Sequence, residues 1–202
     1  NIVLRRIEEK GALPVKETDR DGFCALSENF KQDGEPLLRF EAEYPCGSGS
    51  PQADRYFKAS TQAFYGFAKK KAVKKAREAY VAALRRSARF EPFVIRQSCE
   101  CYKNESFISC LMNRYHFFGG VHGYTTLYAD TFELKTGRML AMSDIFCTNS
   151  QKSIIEEIGK QISQLVELGN NYFYDNWKKG IKKYYTVENF AITENGLCIF
   201  YQ

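Results

Sequence analysis

A chain of 202 residues that is 44% hydrophobic is long enough to enclose a full core and short enough for one domain to be the default reading. No apolar run nears the ~18–20 residues of a membrane-spanning helix, and Asn1–Lys10, carrying Arg5, Arg6, Glu8 and Glu9, holds no hydrophobic signal core. Any leader or anchor is therefore expected outside these residues. The net charge of +5 is unevenly spread: residues 1–50 carry 7 Lys/Arg against 10 Asp/Glu, residues 51–91 carry 11 against 3, and residues 92–202 balance at 11 each.

Residues 1–50 predict two strands joined by a polar stretch. The first is Asn1–Glu9; the second is Pro36–Tyr44, where Leu38, Phe40, Ala42 and Tyr44 alternate with Arg39, Glu41 and Glu43. Pro45 and the run from Cys46 to Pro51 then break the chain. From about Ala53 to Ala88 the pattern is helical. Phe57, Phe64, Ala68, Ala76, Tyr80 and Leu84 fall on or near one stripe, while Lys69, Lys70, Lys74, Arg77, Arg85 and Arg89 point elsewhere. The alanines let such a helix lie close to a sheet, and Gly66 is where it would bend or split.

Four strands follow: Phe93–Tyr102, Phe107–Phe117, Tyr124–Leu134 and Arg138–Met142, with Gly137 supplying a positive φ at the last turn. If Asn104 and Glu105 form the first loop, Cys99 faces Cys110, and the two thiols either bridge or pack as neighbours. Ser143-Asp144 starts a short turn. Ser153-Ile154-Ile155-Glu156 has the form of a capping box opening a helix whose stripe is Ile155, Ile158, Ile162, Leu165 and Val166, with Gly169 as its stop. A shorter helix covers about Tyr172–Lys183 and holds the sole tryptophan, Trp177. Phe190–Thr193 and Leu197–Tyr201 close the chain as a hairpin around Asn195 and Gly196. The order predicts an α+β fold: an antiparallel meander sheet, a long basic helix and a second helix packed on it, and a closing β-hairpin. One domain is expected over residues 1–202, with 1–91 giving the early strands and basic helix and 92–202 the meander, later helices and hairpin.

Gly119-Gly120-Val121-His122-Gly123 is the most distinctive stretch, set between two strands, where glycines permit left-handed backbone and close approach of a ligand or neighbouring strand. It matches no dinucleotide or phosphate-binding loop. Catalysis by His122 would need a carboxylate such as Asp130, Glu133 or Asp144 beside it; otherwise His122 is structural or touches a ligand. His116 falls in strand alternation as an ordinary sheet position. Cys24, Cys46, Cys99, Cys101, Cys110, Cys147 and Cys198 form no CxxC and no metal-ligand spacing with the two histidines, so neither metal nor cofactor is expected. No serine-hydrolase, zinc-protease or paired-acid signature is present, and no catalytic residue is assigned. The basic segment points to an acidic partner or to a solvated helix face, and the absence of nucleic-acid-reading motifs argues against DNA or RNA. Trp177 with Tyr172, Tyr174, Tyr184, Tyr185 and neighbouring lysines either contacts sugar rings or forms a core stripe.

The run Tyr115–Thr125 containing Gly119-Gly120-Val121-His122-Gly123, then Thr131–Arg138 and Met142-Ser143-Asp144-Ile145-Phe146, resembles a domain family of unknown function that ends RsiV-like anti-sigma factors and also occurs in PdaC-type peptidoglycan deacetylases. Tyr44-Pro45, Tyr102–Ser109 and Phe190–Tyr201 look like further motifs of that family in the same order, so the resemblance spans about residues 36–202. Val121 and Glu133 stand where the family more often has Ala and Asp, and the family pattern runs on past the closing hairpin, which predicts an exposed edge at the last strand. The resemblance implies an extracytoplasmic bacterial domain, attached to the membrane only through a segment outside this sequence, with Gly119, Gly120, His122, Gly123, Tyr124 and Trp177 as ligand-contact candidates. It implies a binding role, toward a cell-wall polymer or toward lysozyme. Lysozyme is strongly basic and would be repelled by the +8 segment of residues 51–91 unless the acidic stretch of residues 1–50, at −3, forms the contact, whereas an anionic wall polymer would be attracted to the basic segment.

Overall fold

The computed structural model describes residues 2–3, 22–147, 150–169 and 173–201. Among the described residues, eight strands form two sheets and five α-helices pack with them. β1 (Ile2–Val3), β7 (Phe190–Thr193) and β8 (Gly196–Ile199) form the smaller one, in the order β1-β8-β7. β2 (Phe23–Gln32), β3 (Glu35–Pro45), β4 (Phe93–Lys103), β5 (Phe107–Phe117) and β6 (Tyr124–Glu133) form the larger one in sequence order. The α+β class and the closing hairpin are as the sequence predicts. Of the expected strand Asn1–Glu9, Ile2 and Val3 pair in parallel with Leu197 and Cys198; Asn1 and residues 4–9 lie outside the described residues. β8 is consequently flanked on both sides rather than left as an edge.

Three departures from the predicted strands have identifiable physical causes. β2 is an additional strand, and its inner face is obscured in sequence by Glu28, which accepts a hydrogen bond from the Tyr65 hydroxyl instead of facing water. Asp33 and Gly34, both at positive φ, make the two-residue turn into β3. β3 and β4 pair in parallel, because the long helical connection returns the chain to the same end of the sheet; within that pair the register neighbours Glu41 and Arg96 form a largely buried ion pair at 3.0 Å. The expected strand Arg138–Met142 is reduced to one bridge, Phe132 with Met139. There Asp144 accepts hydrogen bonds from Arg138 and from the Ala141 N–H, both at 2.8 Å, and opens the short helix α3 (Met142–Ile145) instead.

The basic segment forms α1 (Pro51–Phe67) and α2 (Val73–Arg85), joined without a break through a π-helical turn at Ala68–Ala72. Ser50 caps α1 through Ala53 N–H, and Pro51 sits where its missing N–H costs nothing. The π turn follows from the spacing of the buried residues Phe64, Ala68, Ala72 and Ala76. A four-residue repeat drifts ~40° per step around a 3.6-residue helix, so three steps would rotate the stripe off the sheet unless the helix unwinds. The departure falls just after Gly66 rather than at it. Leu84, placed on the stripe by sequence, is 59% exposed, because the stripe ends at Tyr80 packed on Phe90.

The molecule has four layers. α1 and α2 cover one face of the large sheet through Leu38, Phe40, Phe64 and Ile95. The small sheet covers the other face of β5 and β6 through Leu111, Leu127, Ala191, Cys198 and Phe200. α4 (Ser150–Glu167) and α5 (Trp177–Tyr184) then cover the outer face of the small sheet with Ile154, Ile158, Ile162 and Ile181 against Phe190, Leu197 and Ile199. The period-2 alternation of β7 and β8 decides which residue faces which layer. α4 begins at Ser150, so Ser153 lies inside the helix and caps nothing, while Gly169 stops it at φ +81° as expected. In the closing hairpin Glu194 and Asn195 form the loop and Gly196, at φ +122°, opens β8.

The β4–β5 register corrects the predicted Cys99–Cys110 pairing. The Asn104 carboxamide oxygen accepts from the N–H groups of Ser106 and Phe107 at 2.8 and 2.9 Å, which puts Asn104 at the first position of the turn and opposite Phe107. The pairing moves by two residues and keeps every side chain on its predicted face. Cys101 stands opposite Cys110 and bonds to it, and a second disulfide joins Cys24 to Cys46.

Candidate functional site

The glycine-rich loop is the β5–β6 connection. Gly119 and Gly120 have φ of +82° and +101°. A Cβ on Gly123 would stand 2.4 Å from the His116 carbonyl oxygen and 2.6 Å from the Tyr115 ring, so the loop closes only without a side chain there. His122 and Val121 are exposed at the tip, Val121 at 98%. The carboxylates that catalysis would require are engaged elsewhere: Asp130 by Tyr56 at 3.0 Å, Glu133 by Thr136, and Asp144 by Arg138. Gly137 has the predicted positive φ, +70°, and abuts the Gln52 side chain.

His116 occupies a more defined environment than its place in the strand pattern reveals. It is buried on the α1 side, stacks on Tyr124 at 4.9 Å, and meets Phe64 and Phe118 at 5.5 and 5.7 Å. Its Nδ1 has no hydrogen-bond partner among the described residues. Burial, and then the positive charge of Arg114, hold its pKa below the ordinary histidine value.

Arg114 organises the polar part of the same interface. Its guanidinium donates to Gln97 Oε1 at 2.8 Å and to Ser60 Oγ at 2.9 Å, between the rings of Phe64 and Tyr128 at 4.5 and 4.6 Å. Gln97, fully buried, donates in turn to Thr61 Oγ1 and the Glu43 carbonyl. Beside it, burial followed by the charge of Asp130 pushes Tyr56 up to about 12, and burial raises Asp130 against the lowering effects of the Tyr56 hydrogen bond and of Arg114. Ser60, Thr61 and Tyr56 tie α1 to the sheet through this network, while the Arg114–Gln97 and Gln97–Glu43 bonds join neighbouring strands, and together they satisfy groups that would otherwise be costly to bury.

Two concavities open elsewhere. One, about 420 Å³, lies between β6, α3 and α4, with Met142, Ile154 and Phe190 at its base and Cys147 and Glu188 among its exposed lining. Tyr185 is part of its wall, and the Tyr185 hydroxyl is buried without a hydrogen-bond partner among the described residues. The other, about 570 Å³, is an open groove between α4 and α5, lined by Trp177, Ile155 and Gly159 and by Lys160, Lys178 and Lys182, with Glu156 as its one acid. Lys178 Nζ stands 5.4 Å from the Trp177 ring. The ligand-contact candidates thus divide between two places: Gly119, Gly120, His122, Gly123 and Tyr124 at one end of the large sheet, and Trp177 in the outermost helical layer.

No family model matches the chain, and a search of curated proteins finds no similar sequence. Among solved structures, the fold is similar to that of a DUF3298 family member from Bacteroides fragilis NCTC 9343, at 13% identity and a TM-score of 0.58, over 87% of this chain and 81% of that one. It is also similar to a DUF3298 family protein from Pseudomonas aeruginosa PAO1, at 13% identity and a TM-score of 0.51, over 87% and 79% of the two chains. At this identity the likeness is one of fold.

Proposed function

We propose that the domain is a non-catalytic binding module of the bacterial cell envelope and that it takes an anionic wall glycan or polymer in the groove between α4 and α5. The observation that carries this reading is the groove itself, an open aromatic surface ringed by three lysines. An indole face suits the C–H face of a sugar ring, and the ammonium groups suit the carboxylates or phosphates along such a polymer. Exposed lysines and arginines along α1 and α2 supply longer-range attraction that weakens with salt. Two disulfides are in keeping with an oxidising, extracytoplasmic setting, as is the resemblance to RsiV-type and PdaC-type proteins.

Trp177 is the only tryptophan in the chain, so its emission reports the groove directly. Titration with soluble peptidoglycan fragments and with an anionic wall polymer should shift or quench that emission, less so at high salt. The double substitution Lys178→Glu and Lys182→Glu, on two exposed side chains, should abolish the change while leaving the thermal transition in place. Unchanged emission at low salt across both ligand sets removes the proposal. If calorimetry then shows micromolar binding of lysozyme, the lysozyme-sensing role implied by the family resemblance replaces it.

A further inference from the structure

Three sulfurs lie together beneath the N-terminal part of α1. Cys99 and Cys101 project from one face of β4, and Cys110 projects from β5 opposite Cys101. The three Sγ atoms lie within 4.8 Å of one another, those of Cys99 and Cys101 at 3.4 Å. In-line attack by Cys99 on the Cys101–Cys110 bond would need the outer sulfurs roughly 5.4 Å apart, the sum of that gap and an ordinary ~2.04 Å S–S bond. The sulfurs therefore form a triangle and not a relay line. Around a pyramidal three-coordinate centre, bonds of ~2.3 Å place neighbouring sulfurs roughly 3.4–3.5 Å apart; Cys99 and Cys101 stand at 3.4 Å, and Cys110 reaches such a spacing once its bond to Cys101 is broken.

Charge then selects the ion. Cys99 and Cys110 are 2% and 0% exposed, and Ala53, Phe57, Ile108, Met112 and Phe132 pack with them. On three thiolates a monovalent ion leaves two negative charges and a divalent ion leaves one, each heavily penalised in an apolar interior. A trivalent ion leaves none. We propose that, once the Cys101–Cys110 bond is reduced, Cys99, Cys101 and Cys110 bind a trivalent thiophilic metalloid of the arsenite or antimonite class as a neutral trithiolate. The bond and the metalloid are alternative uses of the same sulfurs. A dithiol supplies two electrons and two protons to the disulfide and leaves as its own cyclic disulfide. Neutral As(OH)3 then exchanges three As–O bonds for three As–S bonds, each thiol proton departing with a hydroxide as water. Half-buried Cys101 is the point of entry.

The test reduces the full chain with a dithiol, removes the reductant and titrates with arsenite, following thiol count and intact mass. Wild type, Cys147→Ser and the double variant Cys24→Ser/Cys46→Ser should each take up one arsenic at this site with loss of three thiols. Cys99→Ser should weaken uptake by more than the roughly 10–100-fold that loss of an outer hydrogen-bond partner costs a metal site. The unreduced wild type, whose fold is not in question, should take up none there. Consumption of only two thiols, indifference to Cys99→Ser, or displacement of arsenite by equimolar Zn(II) or Cu(I) overturns the proposal.

Discussion

The two helical layers treat their sheets in opposite ways. α1 closes over the large sheet around a buried polar network in which Arg114, Gln97, Thr61, Ser60, Tyr56 and Asp130 satisfy one another. α4 and α5 bury aliphatic and aromatic side chains against the small sheet and leave the Trp177 indole and the Lys178 and Lys182 ammonium groups in an open groove, whose third lysine, Lys160, is ion-paired with Glu157. Polar groups that find their partners inside the protein are spent on specifying the fold, whereas those left facing an open, shaped surface remain available to a ligand. By this contrast the first interface serves as architecture and the second is the one proposed to bind, although in sequence both are helices with aromatics and basic residues mixed.

Phe57→Ala offers the severest test of that division. Phe57 is fully buried beneath α1 and meets the rings of Tyr56 and Phe132, so truncation should cost about 3–5 kcal/mol in chemical denaturation. At temperatures where the variant stays folded, Trp177 emission should still respond to wall polymer as in the native chain. Loss of that response in a folded sample would break the comparison, since the architectural layer would then be part of the binding surface.

Arg114→Met removes the centre of the polar network while keeping a long side chain between Phe64 and Tyr128. It strands the buried Gln97 Oε1 acceptor, and a hydrogen bond to a charged group contributes about 1.5–3 kcal/mol. Urea denaturation should show a loss of that order. An unchanged midpoint would mean that water replaces the guanidinium at no cost and that the interface is more open than its burial shows.

The same contrast explains what the sequence reveals and what it hides. Strands β3 to β6 and the hairpin are legible because apolar alternation and the turn signals at Gly137 and Asn195-Gly196 act locally. β2 is hidden because Glu28 on its inner face is matched by Tyr65, 37 residues away, although Asp33-Gly34 marks its turn. The parallel pairing of β3 with β4 and the Cys101–Cys110 register depend on one long connection and one asparagine side chain, neither of which carries a periodic signal. At the candidate site, sequence singles out Trp177 and the glycine-rich loop but not their separation into different layers. It also misses the groove lysine Lys160 and the aromatic surroundings of His116, which arise only when β5, β6 and α1 meet.

pH separates the layers further. Because burial and Arg114 lower the His116 pKa in the folded state, the unfolded chain takes up the proton first as pH falls. The stability this group contributes is complete above the unfolded value near 6.5 and is lost as pH drops from there toward the depressed folded value. His116→Phe should flatten the denaturation midpoint between pH 6.5 and 5 without changing the groove's affinity at pH 7.5. An equal slope in the variant would assign the acid sensitivity to another group.

Gly66→Ala should have the smallest effect and an opposite sign. Gly66 lies in the last turn of α1, no atom stands within 4 Å of where its Cβ would be, and its φ is not in the left-handed region. Alanine therefore fits without strain and restricts the unfolded chain, a gain of about 0.4–1 kcal/mol by thermal denaturation. The π turn begins two residues later, at Ala68, where the four-residue spacing of the buried stripe alone accounts for it. Stabilisation by alanine upholds that explanation. A loss of stability would show that the helix needs the freedom of glycine to unwind there, making the π turn a property of Gly66 and not of the stripe that packs on the sheet.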